Sequence, residues 1–243
     1  MSIPRFYCPI PLLPGREASL PEAVGRHAQS ALRLRVGDSL ILFNGEGGEC
    51  LAVLERGGRE ARARVLECRA VARESPLAVT LAQGISSGER MDYTLQKAVE
   101  LGVTAVQPIV TRRTVVRLDD ERRQRRRAHW LGVVMSACEQ CGRCRLPAVG
   151  EILEYPDWIV SSREMDGVKF LLDPEGGLRL RDLPAPGRPV LLLAGPEGGF
   201  EPVEREAALA AGFIPLRLGP RILRTETAAV AALAAMQALW GDS

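Results

Sequence analysis

Two glycine-bearing stretches near the C-terminal end have the composition of ligand loops: Gly195-Pro196-Glu197-Gly198-Gly199-Phe200 and Leu218-Gly219-Pro220-Arg221-Ile222-Leu223-Arg224. Each follows an apolar run that reads as a strand, and open α/β sheets bind ligands at the carboxyl ends of their strands. Glycine there lets backbone N–H and C=O groups approach a bound molecule. Tight turns share this composition, so both readings stand on spacing alone. Neither stretch fits G-x-G-x-x-G or a P-loop, and neither occupies a first strand–helix turn, which argues against dinucleotides and ATP. Carboxylates in or near the segments that could carry chemistry are Glu139, Glu197 and Glu226. Glu226 suits the positive end of the last helix, and Glu197 suits an ordering role in its loop. Glu139, near Arg143, has the least structural explanation. His27 lies in the N-terminal region and His129 in an arginine-rich helix, so both are poor candidate bases.

Cys138, Cys141 and Cys144 have the C-x2-C-x2-C spacing of a metal or iron–sulfur site. No fourth cysteine lies nearby. Trp130, Val134, Cys138 and Cys141 fall on one helical face, so Cys138 and Cys141 read as small core residues. Gly142 ends or bends that helix. No metal is expected, and no disulfide framework in a cytosolic chain of this size.

These candidates need a frame. Residues 1–72 show a short helical patch, Glu22 to Leu32, then short runs between glycine turns: Ser39 to Phe43, Cys50 to Glu55 and Ala61 to Ala70. That spacing reads as a small β-barrel or meander. Residues 73–243 alternate strands and helices. Strands are expected at Leu77 to Ala82, Val103 to Val110, Lys169 to Leu172, Pro189 to Ala194 and Phe213 to Leu218. Ser86 and Glu89 have capping-box spacing for a helix ending before Gly102. Asp119, Asp120 and Glu121 open a long helix. Pro202 and Gly212 bracket another, and Thr225 to Trp240 is an alanine-rich last helix. This is an α/β domain with a mostly parallel sheet.

The chain of 243 residues is 46% hydrophobic and 26% charged, an ordinary globular composition that suits one large domain or two smaller ones. No apolar run approaches the ~20 residues of a membrane span. With no signal-peptide pattern at the N-terminus, a cytoplasmic location is expected. A net charge of +2 argues against a generic polyanion binder. Lys97 and Lys169 are the only lysines. The arginine excess fits codon bias first, and bidentate phosphate recognition second.

The run LLLAGPEGGFEPVEREAALAAGFIPLRLGPRILRTETAAVAAL closely resembles the C-terminal signature of the SPOUT methyltransferases. More narrowly it resembles the bacterial family that methylates N3 of a uridine in 16S ribosomal RNA, the RsmE family. QKAVELGVTAVQPIVTRRT resembles that family's first helix and following strand. EQCGRCRLPAV, with Glu139, Gln140, Arg143 and Pro147, resembles its central motif. RFY at Arg5 to Tyr7, His27 and LRLRVGDSLILFNGEG resemble its PUA-like barrel. The resemblance covers nearly the whole chain. It implies an N-terminal PUA-like RNA-binding barrel and a C-terminal trefoil-knot domain that binds S-adenosylmethionine. It also implies a homodimer, with 16S rRNA, in the assembled small subunit, as partner. Carried over by position, the cofactor contacts are Leu172, Leu193, Gly195, Pro196, Glu197, Gly198, Gly199, Leu218, Gly219, Ile222, Leu223, Arg224, Thr227 and Ala228. Glu201 stands where Ser or Thr commonly caps the next helix; a carboxylate accepts the same N–H bonds.

Uridine N3 carries a proton at neutral pH, and its loss spreads charge onto O2 and O4. Such a site needs a proton acceptor and a cation. Arg143 or Arg224 is expected to stabilise the anion, with Glu139 orienting it. Arg5, Arg33, Arg35, Arg112, Arg113 and Arg145 are the expected RNA contacts, with Arg117 adding to the basic surface. The run Arg122-Arg123-Gln124-Arg125-Arg126-Arg127 reads either as a phosphate grip or as a solvated helix face. Two other readings stay open: a knotted methyltransferase acting on a tRNA base or ribose, and an RNA-binding protein without turnover.

Overall fold

The computed structural model describes residues 3–116 and 119–242. Arg117 lies outside them. The chain forms two compact units, one running to Glu74 together with Met135–Leu146, the other Ser75–Val134 with the chain from Pro147 onward. A division at residues 72 and 73 differs from the packing in two respects. Arg73 and Glu74 cluster with the N-terminal unit, and so does the segment carrying Glu139 and Arg143.

The first unit contains β1 (Arg5–Tyr7), β2 (Glu17–Ser19), α1 (Glu22–Arg26), β3 (Ser39–Phe43), β4 (Gly48–Arg56) and β5 (Arg62–Ala70). Its sheet order is β1-β3-β4-β5-β2, parallel between β1 and β3 and antiparallel elsewhere. Alternate strand residues, among them Leu40, Leu42, Ala52, Leu54, Ala63 and Val65, point into one core with Phe6. The helix expected to Leu32 leaves the α form at Arg26 and continues as a wider turn over His27–Ala31. Strands β1 and β2, of three residues each, are too short to show a period. The expectation of no disulfide is corrected here. Register sets Cys50 directly opposite Cys68 across β4 and β5, their Cα atoms are 4.0 Å apart, and the two sulfurs are bonded. Strand pairing alone brings the thiols together.

The second unit contains β6 (Val79–Gly84), α2 (Gly88–Glu100), β7 (Ala105–Val110), α3 (Asp120–Cys141, whose last turns belong to the first unit), β8 (Ala148–Val149) and β9 (Leu153–Glu154). There follow α4 (Tyr155–Ser161), β10 (Val168–Leu172), β11 (Val190–Ala194), α5 (Pro202–Ala210), β12 (Ile214–Leu216) and α6 (Thr225–Trp240). The strand order is β12-β10-β11-β6-β7-β8, with β9 also on β7, and every pair is parallel. All of β11 is buried, as an apolar run in a parallel sheet requires. The order sets the carboxyl ends of β12, β10, β11 and β6 side by side, so the loops that follow them meet.

Helix caps report the local forces. Glu201 and Glu204 form a reciprocal capping box at the start of α5, behind Pro202 in the first turn. The box expected from Ser86 and Glu89 does not form. Ser87 is the N-cap of α2, and its hydroxyl donates to Glu197 instead. Helix α6 packs on α2, with Gln237 Nε2 donating to the Leu101 carbonyl at 2.8 Å; alanines permit the close approach. On α3, Trp130, Val134 and Cys138 are buried as their spacing predicts. Cys141, expected in the same core, is only half-buried at the helix end, and Gly142, at φ 87°, follows it. Helix α4 is not among the expected elements. Its Tyr155 and Trp158 meet Phe200 and Phe213 in a core under the sheet.

Candidate functional site

The loops after β10, β11 and β12 wall a cavity of about 890 Å³. Small-molecule sites span ~300–1,000 Å³. Leu172, Gly195 to Gly199, Leu218, Gly219, Ile222, Leu223, Arg224 and Ala228 all line it, as carried over by position. Leu193 and Thr227 do not. Leu193 is fully buried in the core beneath, and Thr227 points outward from α6. Asp173, Arg90, Arg113, Arg205, Glu226 and the exposed Arg217 and Arg221 also line it. Asp173 sits one residue past the end of β10, a position that strand-end logic reaches from sequence. Arg90 and Arg113 come from α2 and the loop after β7, and only the fold brings them here.

The Gly195–Gly199 loop is held from several sides. The Gly199 N–H donates to the Pro196 carbonyl at 2.9 Å, and Gly199 takes φ 68°, a conformation open to glycine. The Ser87 N–H and hydroxyl donate to Glu197 at 2.8 and 2.7 Å, and Arg90 adds a bond at 3.1 Å. Burial pulls the Glu197 carboxyl upward, but these donors outweigh it and hold the group below the usual carboxylate range. Arg113 donates to the Gly198 carbonyl at 3.0 Å. The Arg112 backbone N–H donates to the buried Glu204 at 2.9 Å. On the opposite wall Gly219 takes φ 93°, and Ile222 is 85% exposed, an apolar side chain presented at the cavity. Asp173, nearly buried, accepts from Arg205 at 2.7 Å. Arg224, the N-cap of α6, is exposed, and among the described residues no carboxylate pairs with it. One buried oxygen each of Glu197 and Glu226 has no hydrogen-bond partner.

The other expected catalytic residues lie in the first unit and are absent from the cavity wall. Arg143 is buried, and its guanidinium binds Glu74 through two bonds of 2.6 and 2.9 Å. Glu74 also accepts the Arg145 N–H at 3.2 Å. The pair ties the segment after α3 to the end of the barrel sequence. Arg143→Ala is therefore expected to lower stability by about 1.5–3 kcal/mol, through the stranded carboxylate. Thermal melts check this, and an unchanged melting point speaks against it.

Glu139 accepts the Tyr7 N–H at 2.9 Å. Burial raises its pKa above the usual carboxylate value, and the Tyr7 N–H, His27 and Arg5 only partly offset that. A carboxyl raised by folding contributes stability below its unfolded pKa and loses it as pH rises through the folded one. Glu139→Gln, which keeps an acceptor for Tyr7, is expected to gain on the wild type as pH rises from that range to neutrality. Melts across the interval check it; a constant difference sinks the argument.

Arg5, expected on RNA, is instead committed inward. It is ion-paired to the buried Glu49, and its Nη2 donates to the Gly142 carbonyl at 3.0 Å. Glu49 also takes Arg69 at 2.6 Å. Arg33, Arg35, Arg112, Arg113 and Arg145 are exposed, and Arg33 adopts φ 55°. In the arginine run, Arg122, Arg125 and Arg127 pair with Asp119, Glu121 and Glu151 at 3.3, 2.8 and 2.9 Å, and Arg123 pairs with Glu154. Four of the five arginines are thus ion-paired, two of them to acids on the first turn of α3 or just before it. Among the described residues no group of His, Cys, Asp and Glu is arranged to hold a metal ion. None of their helices is long and apolar enough to cross a membrane.

Residues 73–237 match the family model of an RNA methyltransferase domain, and residues 20–66 match that of an RNA methyltransferase PUA domain. Fold and site thus define an RNA methyltransferase architecture: a PUA-type module and a parallel α/β domain with its cavity at the strand ends. The ribosomal RNA small subunit methyltransferase E of Buchnera aphidicola (from Schizaphis graminum) is 34% identical, over 99% of this chain and 98% of its own. The crystal structure of the same-named protein of Neisseria gonorrhoeae, bound to S-adenosyl methionine, superposes with a TM-score of 0.91 at 42% identity, covering 99% of both chains. A Legionella pneumophila protein solved with bound SAM gives 0.95 at 39% identity over 100% of both. The chain belongs to the ribosomal RNA small subunit methyltransferase E family.

Proposed function

We propose that the protein methylates N3 of a specific uridine in 16S rRNA, with S-adenosylmethionine as methyl donor. The observation that carries this is the cavity itself, walled by both signature loops in a chain of this family. The wall suits the donor. Backbone around Gly195 to Gly199 and Gly219, with Leu218, Ile222 and Leu223, offers an apolar slot for a flat heterocycle. The partnerless oxygens of Glu197 and Glu226 offer acceptors for its amino groups. When bound, S-adenosylmethionine supplies an electrophilic methyl carbon.

The chain's own residues must then align uridine N3 with that carbon, and alignment is worth at most about 7–11 kcal/mol. Arg224, exposed at the cavity and at the start of α6, is the cation assigned to stabilise charge on O2 and O4. The tethered Glu139 holds the end of α3 in place, and the paired Arg143 holds the segment that follows. Arg33, Arg35, Arg112, Arg113 and Arg145 contact RNA. Threading of the signature loops as a trefoil knot, which the family resemblance implies, belongs to the same reading. A cytoplasmic homodimer acting on the assembled small subunit completes the reading.

Labelled S-adenosylmethionine, protein and small ribosomal subunits are incubated together, and the modified nucleoside is mapped. Label at N3 of one uridine is expected. Label on tRNA alone, or on a ribose, overturns the assignment.

A further inference from the structure

The two signature loops are tied together by a buried amide that neither supplies. Gln83, the next-to-last residue of β6 before Gly84, is fully buried. Its Nε2 donates to Thr225 Oγ1 at 3.0 Å and lies 3.0 Å from the Gly84 carbonyl and 3.3 Å from that of Gly195. Thr225 Oγ1 donates in turn to the Gly195 carbonyl at 2.6 Å. Thr225 is the first residue of α6 and is itself nearly buried. A chain of N–H to O–H to O=C therefore runs from mid-sheet, through the start of α6, to the first residue of the Gly195–Gly199 loop. Bonds in series inside a low-dielectric interior polarise and strengthen one another.

The amide is used from one end only. Gln83 Oε1 is buried with no partner, and a stranded acceptor costs free energy. An apolar side chain at this position would avoid that cost but could not donate to Thr225 or to Gly195. The same strand end also touches the loop at Gly84, where a Cβ would fall 2.5 Å from the Pro196 ring.

We propose that Gln83 and Thr225 are positioning residues that lock the Gly195–Gly199 loop to the start of α6, so that both cavity walls hold one geometry before the donor arrives. This rests on the cavity being the S-adenosylmethionine site. A pre-set wall binds without first ordering itself, which raises affinity. The lock acts on the donor and not on the RNA.

The test uses the full-length protein, calorimetric titration with S-adenosylhomocysteine, and kinetics on small subunits. Thr225→Val removes the hydroxyl at nearly constant shape, Thr225→Ser restores it, and Gln83→Met removes the donor. Thr225→Val and Gln83→Met are each expected to raise Kd about tenfold, the loss of one such link. KM for the donor should rise in parallel while KM for RNA holds. Thr225→Ser should stay within about twofold, and the double variant should add little to either single one, as for groups acting as a unit. Unchanged Kd in both Thr225→Val and Gln83→Met overturns the proposal, as does equal loss in Thr225→Ser and Thr225→Val. Wild-type protein that binds no S-adenosylhomocysteine overturns the cavity assignment itself, a result separate from indifferent variants.

Discussion

Arg224→Ala is expected to lower kcat by about 10²–10³-fold, the usual loss when one donor to a developing anion is removed, while S-adenosylhomocysteine binds as before. The reasoning starts from placement. Arg224 caps α6 with its backbone in an extended conformation, and its carbonyl accepts the Ala228 N–H at 2.8 Å. The substitution leaves those backbone features intact, so the helix start and the cavity wall survive. What is lost is the exposed guanidinium. Arg205, also on the wall, is already bound to Asp173, and Arg90 is bound to Glu197. Arg205 cannot swing to a substrate without stranding the nearly buried Asp173. Arg217→Ala and Arg221→Ala, at residues that also line the cavity, are the comparison variants, expected to keep kcat. Single-turnover rates on small subunits, with calorimetry for the cofactor product, measure the split. Should the loss fall on KM for RNA alone, with a flatter salt dependence, Arg224 is a phosphate contact and the anion-stabilising role is wrong.

Gly84→Ala should weaken S-adenosylhomocysteine binding by about 100-fold, some 2–3 kcal/mol of forced overpacking. A Cβ at Gly84 would lie 2.5 Å from the Pro196 nitrogen and 2.9 Å from the Gly195 carbonyl carbon. These are backbone atoms, so no side chain can rotate aside. The parallel pairing of Ala194 with Gln83 anchors β11 against β6 immediately before the contact. The strain therefore passes into the Gly195–Gly199 loop, which has the fewest ladder bonds to resist it. Gly132→Ala, on α3 where an added Cβ meets nothing within 4 Å, is the control and should leave binding unchanged. Wild-type affinity in Gly84→Ala would show that the loop tolerates displacement and does not define the site.

Local signals and long-range ones divide sharply in this chain. Helix α6 and strand β3 begin and end where periodicity and flanking residues place them, and Pro202, Glu204 and Gly212 bracket α5 as expected. Each is decided by residues within a few positions, whose spacing sets which face is buried and where backbone donors are capped. The walls of the cavity were legible for the same reason: Gly195 to Gly199 and Ile222 to Arg224 are contiguous runs at strand ends. Three-residue strands such as β1 and β2 were not legible, because a period needs more residues to show.

What needed the tertiary structure is everything set by pairing between distant segments. Ser86 and Glu89 have capping-box spacing, yet Ser87 caps α2 and spends its hydroxyl on Glu197, 110 residues on. Cys50 and Cys68 were unremarkable until register set them face to face. Arg5 and Arg143 looked like free cations until burial bound them to Glu49 and Glu74. The two loops singled out by their own composition wall the cavity. Their mutual geometry is decided elsewhere, by Gln83 and Gly84 at the end of a strand that carries no motif. A hydrogen bond or close contact depends on distance in space, and distance in sequence does not encode it.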